Sequence, residues 1–195
     1  MMSSLDYFCR EYEEFLPADY CDAIVEKFER VANADQAKVR ELSACKGNCN
    51  NCTCNRMDLN MHLEFQDDVR MISSMINQHL DVYKMDVKLN QREWPDKYTW
   101  EFLTIKKYKP GGERHGAHSD EEDLKSCKRF ITMIIYLTDD FEGGGTRFLH
   151  SGLTCNPTKG KILMFPSAWP WIHEGIAVEG INPKYIMITR LHYSE

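Results

Sequence analysis

The period of the apolar positions changes midway along the chain. After Pro17, the residues Tyr20, Ile24, Phe28 and Val31 recur every three or four positions with charges between them, which predicts an amphipathic helix of about four turns. Val69, Ile72, Ile76 and Leu80 repeat the pattern behind Asp67-Asp68, an acidic pair suited to the positive end of a helix, and predict a second. Between these helices, residues 33–60 are rich in Asn, Gly and Cys and read as a long irregular insertion or a strand pair interrupted by a loop. From Tyr98 onward the pattern becomes short aromatic and β-branched runs punctuated by Gly, Pro and Asp, at 99–108, 130–138, 145–150, 153–155, 161–165 and 184–193. Short strands so spaced predict an all-β sandwich or barrel. With no repeat, low-complexity tract or linker, the expectation is one domain over 1–195. In it, helices and a Cys-rich loop (1–97) support a β core (98–195).

Composition narrows the partners. A chain of 195 residues can bury a core without covalent staples. Its 24 Lys and Arg against 30 Asp and Glu leave a net charge of −6, which argues against a sequence-independent grip on nucleic acid. The apolar stretches near 130–138 and 162–172 fall short of the ~20 residues needed to span a bilayer, and the N-terminal MMSSLDYFCREYEEF lacks the basic and apolar regions of a secretory signal. A soluble, cytoplasmic protein with no membrane partner is expected.

Four of the eight cysteines, Cys45, Cys49, Cys52 and Cys54, lie within ten residues. They could surround a structural Zn, with His62 as a substitute ligand, form a redox disulfide, or stand as free loop thiols. A reducing interior disfavours a disulfide scaffold. Placed ahead of the β core, this segment would suit a lid.

The sharpest chemical feature is His118-Ser119-Asp120, which follows the turn Pro110-Gly111-Gly112. In extended chain, side chains two apart project to one face, so an imidazole and a carboxylate can meet a single ion. His173, beyond the apolar Ile162-Leu163-Met164-Phe165, offers a third ligand. Two histidines and a carboxylate make a facial set that suits Fe(II) and leaves positions open, whereas the His-Glu-x-x-His of helix-borne zinc hydrolases is absent. His115 reads as a supporting or surface residue, and His150 and His192 as ordinary strand-end residues. Lys184 opens the last strand, and a lysine aimed into a core must meet an anion or face outward. Counting by two from Lys184 aligns Ile186, Ile188 and Arg190, so Arg190 is either a further anion contact or the partner of a nearby acid. Trp169 and Trp171 read as a substrate wall or as rim packing, and Glu121, Glu122 and Asp123 as a solvated face or a lure for a cationic substrate.

The ordered run His118-x-Asp120, Ile134-Ile135-Tyr136-Leu137-Thr138, Phe141-Glu142-Gly143-Gly144-Gly145-Thr146-Arg147-Phe148, Pro157-x-Lys159-Gly160, Phe165, His173 and Lys184 resembles the prolyl 4-hydroxylase group of Fe(II)- and 2-oxoglutarate-dependent dioxygenases. The similarity spans about residues 98–193, with weaker agreement near Phe15-Leu16-Pro17. It implies a mostly β fold with flanking helices, the double-stranded β-helix form of jelly roll. It also implies His118, Asp120 and His173 as iron ligands and Lys184 as the partner of the cosubstrate's distal carboxylate. Tyr108, Tyr136 and Thr146 would line the 2-oxoglutarate pocket, and ascorbate is an expected auxiliary. The implied reaction consumes dioxygen, yields succinate and carbon dioxide, and hydroxylates a peptide or free amino acid, proline first. Two other readings stand beside it: an oxidative nucleic-acid demethylase of the same superfamily, and a non-catalytic, cupin-like metal-binding module. The ten residues between His173 and Lys184 exceed the spacing in many members of the group.

Overall fold

The computed structural model describes residues 5–43 and 52–195. In chain order the elements are β1 (Arg10–Tyr12), α1 (Ala18–Ala34), β2 (Arg40–Ser43), β3 (Thr53–Asp58), α2 (Gln66–Asp86), β4 (Tyr98–Trp100), β5 (Thr104–Tyr108), β6 (His115–His118), β7 (Arg129–Tyr136), β8 (Glu142–Gly143), β9 (Thr146–Phe148), β10 (Thr154–Cys155), β11 (Ile162–Pro166), β12 (His173–Gly175), β13 (Val178–Glu179) and β14 (Lys184–Tyr193).

Both predicted helices form. In α1 the buried face is Cys21, Ile24, Phe28 and Val31, so Cys21 takes the place the periodicity gave to Tyr20. In α2 it is Ile72, Ile76, Leu80 and Tyr83. Of the acidic pair, Asp68 turns inward, where its carboxylate accepts hydrogen bonds from Tyr20 Oη (2.7 Å) and Lys27 Nζ (2.6 Å) and ties the helices together.

The strands form two principal sheets. The large one runs β1-β11-β7-β14-β5-β3-β2, with β4 on the far end of β14; the small one runs β10-β9-β12-β6. Successive core strands pass between the two sheets, which is the jelly-roll arrangement, and the sheets do not close into a barrel. The segment expected as one strand over 99–108 is interrupted: β14 pairs with β5 through Ile188↔Thr104 and with β4 from Leu191↔Trp100, so the β4–β5 side carries one extra residue. That extra residue breaks the alternation, and Glu101 lines a cleft although Leu103 and Ile105 on either side of the break's end face the opposite core. The undecided stretch 33–60 holds the strand pair β2–β3, joined to the large sheet through β5.

Period-two alternation in the large sheet separates two cores. Ile131, Met133, Ile135, Ile162, Met164, Met187 and Leu191 face the helices, while Ile134, Tyr136, Leu163, Phe165, Ile186 and Ile188 face the small sheet. Strand β14 lies between β7 and β5 and is covered on both sides, so side chains on its inner face are fixed by the packing of α1 and α2 behind it. No helix among the described residues is long and apolar enough to cross a membrane.

Candidate active site

His118 ends β6 and His173 opens β12, and the two are direct cross-strand partners in the small sheet. Asp120 follows two residues beyond the strand and is 3% exposed. His118 Nε2 lies 3.7 Å from Asp120 Oδ1 and His173 Nε2 3.9 Å from Asp120 Oδ2, and one ligand atom from each of the three residues falls within 4.8 Å of the others. Both imidazoles are oriented from behind: Nδ1 of His118 donates to Gly116 O (2.9 Å) and Nδ1 of His173 to Trp171 O (3.0 Å). These bonds place the proton on Nδ1 and leave each Nε2 lone pair facing the common point, as a metal ligand requires. Burial holds the His173 imidazole down at about 4, which favours the neutral, ligating form.

Asp120 is braced on both oxygens. Thr132 Oγ1 donates to Oδ2 at 2.6 Å and is itself bonded to Ser167 Oγ at 2.8 Å; Arg190 Nε donates to Oδ1 at 2.9 Å. Arg190 is therefore on the inner face as the count by two predicts, and its anion is Asp120, with Glu101 a further neighbour at 3.5 Å. Burial alone would raise the Asp120 carboxyl, but Arg190 and the two histidines hold it well below the usual carboxylate range. Among the described residues these three side chains are the group able to converge on a metal.

Inward from the triad lies a small cavity of about 30 Å³, lined by Lys106, Tyr108, Ile134, Thr146, Lys184, Ile186 and Arg190 among others. Lys184 is 3% exposed, its ammonium donates to Gly144 O at 2.5 Å, and the rings of Tyr108 and Tyr136 lie 5.3 and 5.6 Å away. Among the described residues no carboxylate pairs with it, and burial lowers its pKa to about 7. Gly144 makes the seat: its φ of +66° is a left-handed conformation, and a Cβ there would lie 2.4 Å from the Phe141 ring. Tyr136 Oη and Thr146 Oγ1 share a 2.7 Å hydrogen bond at the same end, and Tyr108 Oη lies 3.3 Å from His115 Nδ1. On its other side the site opens into a cleft of about 660 Å³, lined by Arg56, Trp100, Glu101, Phe102, Lys106, Glu122, Arg129 and others.

Other expectations need correction. Neither Trp169 nor Trp171 lines the cavity or the cleft: Trp171 packs edge-on to Phe8 and donates Nε1 to Leu5 O, clamping the N-terminal segment, while Trp169 is 70% exposed. In the acidic run Glu122 and Asp123 are exposed, and Asp123 Oδ1 also accepts from the Lys125 and Ser126 amides and from Ser126 Oγ. Of the cysteine cluster, Cys45 and Cys49 lie outside the described residues. Cys52 is disulfide-bonded, and Cys54 is a free, buried thiol in the inter-sheet core. Thr132, Ser167, Glu101 and Lys106 escape a reading of the sequence. Only Thr132 carries a signal, as a lone polar residue alternating with apolar ones in β7.

The model of the 2OG-Fe(II) oxygenase superfamily matches residues 103–192, a segment that contains His118, Asp120, His173 and Lys184. A search of curated proteins finds no match. Among solved structures, the viral collagen prolyl hydroxylase of Paramecium Bursaria Chlorella virus-1, in complex with 2OG, is 20% identical with a TM-score of 0.66 over 99% of this chain and 100% of that one. A Pseudomonas putida prolyl-4-hydroxylase is 16% identical with a TM-score of 0.65 over 96% and 93%. A Trichoplax adhaerens prolyl hydroxylase, in complex with a hypoxia inducible factor oxygen degradation domain peptide fragment, is 13% identical with a TM-score of 0.73 over 95% and 84%. Residues 103–192, a segment that holds the triad and Lys184, are thus similar to the 2OG-Fe(II) oxygenase superfamily. With the prolyl hydroxylases above the chain shares its fold.

Proposed function

We propose that the protein hydroxylates an amino-acid residue of a peptide, proline first, with conversion of 2-oxoglutarate to succinate and carbon dioxide. The observation that carries this reading is Lys184, a buried ammonium without a counter-ion among the described residues, on the far side of the same cavity as the triad's histidines. A buried cation is costly until an anion joins it, and the distal carboxylate of a dianionic cosubstrate would supply one. The donor set fits the metal equally well: two Nε2 lone pairs and a carboxylate held ionised by Arg190 suit Fe(II).

His118, Asp120 and His173 would hold Fe(II), and Lys184 would fix 2-oxoglutarate, with Tyr108 and Thr146 walling its pocket and the Tyr136 ring beside the ammonium. The metal and cosubstrate, once bound, supply the oxidation of an unactivated carbon by dioxygen. The protein's part is orientation and exclusion of water. Thr132 and Arg190 keep Asp120 from rotating, the backbone carbonyls of Gly116 and Trp171 keep the imidazoles aimed, and Ile134, Ile186 and Ile188 dry the interior. The cleft admits the substrate from the side opposite Lys184. The Trichoplax neighbour's peptide complex and the three prolyl hydroxylase neighbours support a peptidyl substrate.

The reading is tested by mass spectrometry on proline-containing peptides and free proline incubated with the protein, Fe(II) and 2-oxoglutarate. A gain of one oxygen atom on proline, absent from the Asp120→Ala variant, is the expected result. Oxygen incorporated only elsewhere, or equally by the variant, contradicts it.

A further inference from the structure

The residues placed so far leave one buried cation unexplained. Lys106, on the inner face of β5 two residues before Tyr108, is 8% exposed and lines both the interior cavity and the open cleft. Unlike Arg129 and Arg190, which are tied to Glu101 and Asp120, it has no carboxylate or carbonyl partner among the described residues. Burial lowers its pKa to about 8, which still leaves it mostly protonated at neutral pH. The neighbouring Cys54 does not neutralise it, since burial raises that thiol's pKa.

The strand register extends the feature. Lys106 is the direct cross-strand partner of Arg56 on β3, and Arg56 of Arg40 on β2. Directly opposed residues of an antiparallel ladder project from one face, so three cations form a row, about 4.8 Å between neighbouring strands, from the buried site out to the exposed Arg40. Like charges directly opposed are unfavourable, and in a chain of net charge −6 such a row does not follow from composition. Among the described residues Asp58 answers it, bonded to Arg56 and to Thr104. Arg56 Nε is buried and has no hydrogen-bond partner.

We infer that Lys106, Arg56 and Arg40 form a track for the carboxylates of the substrate, so that the preferred substrate is a peptide with an anionic group close to the residue to be modified. The inference rests on the hydroxylase reading and names its substrate class. Lys106, nearest the triad, takes the first carboxylate; Arg56 offers its unpartnered Nε beside it, and Arg40 extends the track outward. The carboxylate comes from an Asp or Glu side chain or from the peptide's C-terminus. On the opposite wall, Glu101 is engaged by Arg129 and Arg190, and Asp123 by its own loop.

The test uses matched proline-containing peptides with acidic, amide or lysine flanks, each with a free or an amidated C-terminus, assayed with Fe(II) and 2-oxoglutarate. Acidic flanks or a free C-terminus are expected to lower KM by about tenfold or more with little change in kcat, and which of the two does so identifies the source of the carboxylate. In Lys106→Met and Arg56→Gln the preference should fall toward one, while Lys106→Arg retains most of it. Equal KM values for acidic and neutral peptides overturn the inference. So does a Lys106→Met variant whose KM rises for 2-oxoglutarate instead of peptide, which would assign Lys106 to the cosubstrate. Fluorescence anisotropy of the same peptides on protein loaded with Mn(II) and 2-oxoglutarate separates the two readings. The acidic ranking without any turnover leaves the track standing and sinks the hydroxylase; turnover without the ranking does the reverse.

Discussion

Asp120 is held by groups that need never touch the ion it would bind. Removing Thr132's hydroxyl in Thr132→Val frees one carboxylate oxygen while preserving side-chain shape, and metal affinity should fall about 10–100-fold, read by Fe(II) titration of succinate formation. Unchanged affinity would show that Arg190 alone fixes the carboxylate. Lys184 gives a second residue-scale prediction. Its pKa drops from 10.5 to about 7 on folding, so between those values the unfolded chain binds more protons and stability rises with pH. Lys184→Met should be more stable than wild type at pH 7, should lose part of that upward slope from pH 7 to 10, and should bind 2-oxoglutarate far more weakly. Denaturant titrations across that range check the first two, and a variant no more stable at pH 7 would mean the ammonium finds compensation within the protein. The triad and Lys184 are legible in the sequence because metal chemistry restricts residue types and because strand period two carries Lys184's direction to Arg190. Thr132 shows only as a polar residue among apolar ones in β7, and Lys106 and Arg56 show nothing, because their meaning lies in which strands become neighbours, and register between segments distant in sequence leaves no local pattern.

At the scale of elements, the two strand ends carrying His118 and His173 meet as cross-strand partners, and the loop before β9 supplies Lys184's carbonyl seat. Gly144→Ala would force a Cβ into Phe141 from a left-handed backbone, so the loop must shift and the seat with it. The expected outcome is a rise in KM for 2-oxoglutarate of about tenfold, with triad metal affinity retained. Equal loss of both would mean the loop supports the whole site. The last strands of the jelly roll read well from their aromatic and β-branched runs. The short strands β6, β8, β12 and β13 do not, since at two to four residues each they carry Gly, His and Glu where the ladder and not the side chains holds them. Trp169 and Trp171 fail as a wall for a related reason: their contacts are set by the N-terminal segment packed across them, which flanking sequence does not reveal.

For the molecule as a whole, the two N-terminal helices act as a backing plate. Phe28 packs edge-on to Tyr185, whose hydroxyl donates to Glu29 on the same helix, directly behind Lys184. Phe28→Ala should destabilise the fold by about 3–5 kcal/mol, lowering Tm by about 10 °C or more, and should weaken 2-oxoglutarate binding as well. A variant with lowered Tm but intact cosubstrate affinity would separate the plate from the site. The helices themselves are evident from apolar spacing, and the jelly roll from the run of short strands and the resemblance they carry. That the helices lie behind the site, with two cores on either side of one sheet, is settled by packing.

His118, Asp120, His173 and Lys184 are proposed to form one oxidising site together. The most direct test is succinate formation from 2-oxoglutarate with Fe(II) and a substrate peptide, measured for wild type, Asp120→Ala and Lys184→Ala. The account predicts turnover in wild type, none in Asp120→Ala, and turnover restored by high 2-oxoglutarate in Lys184→Ala. Succinate formed equally by wild type and Asp120→Ala would contradict it.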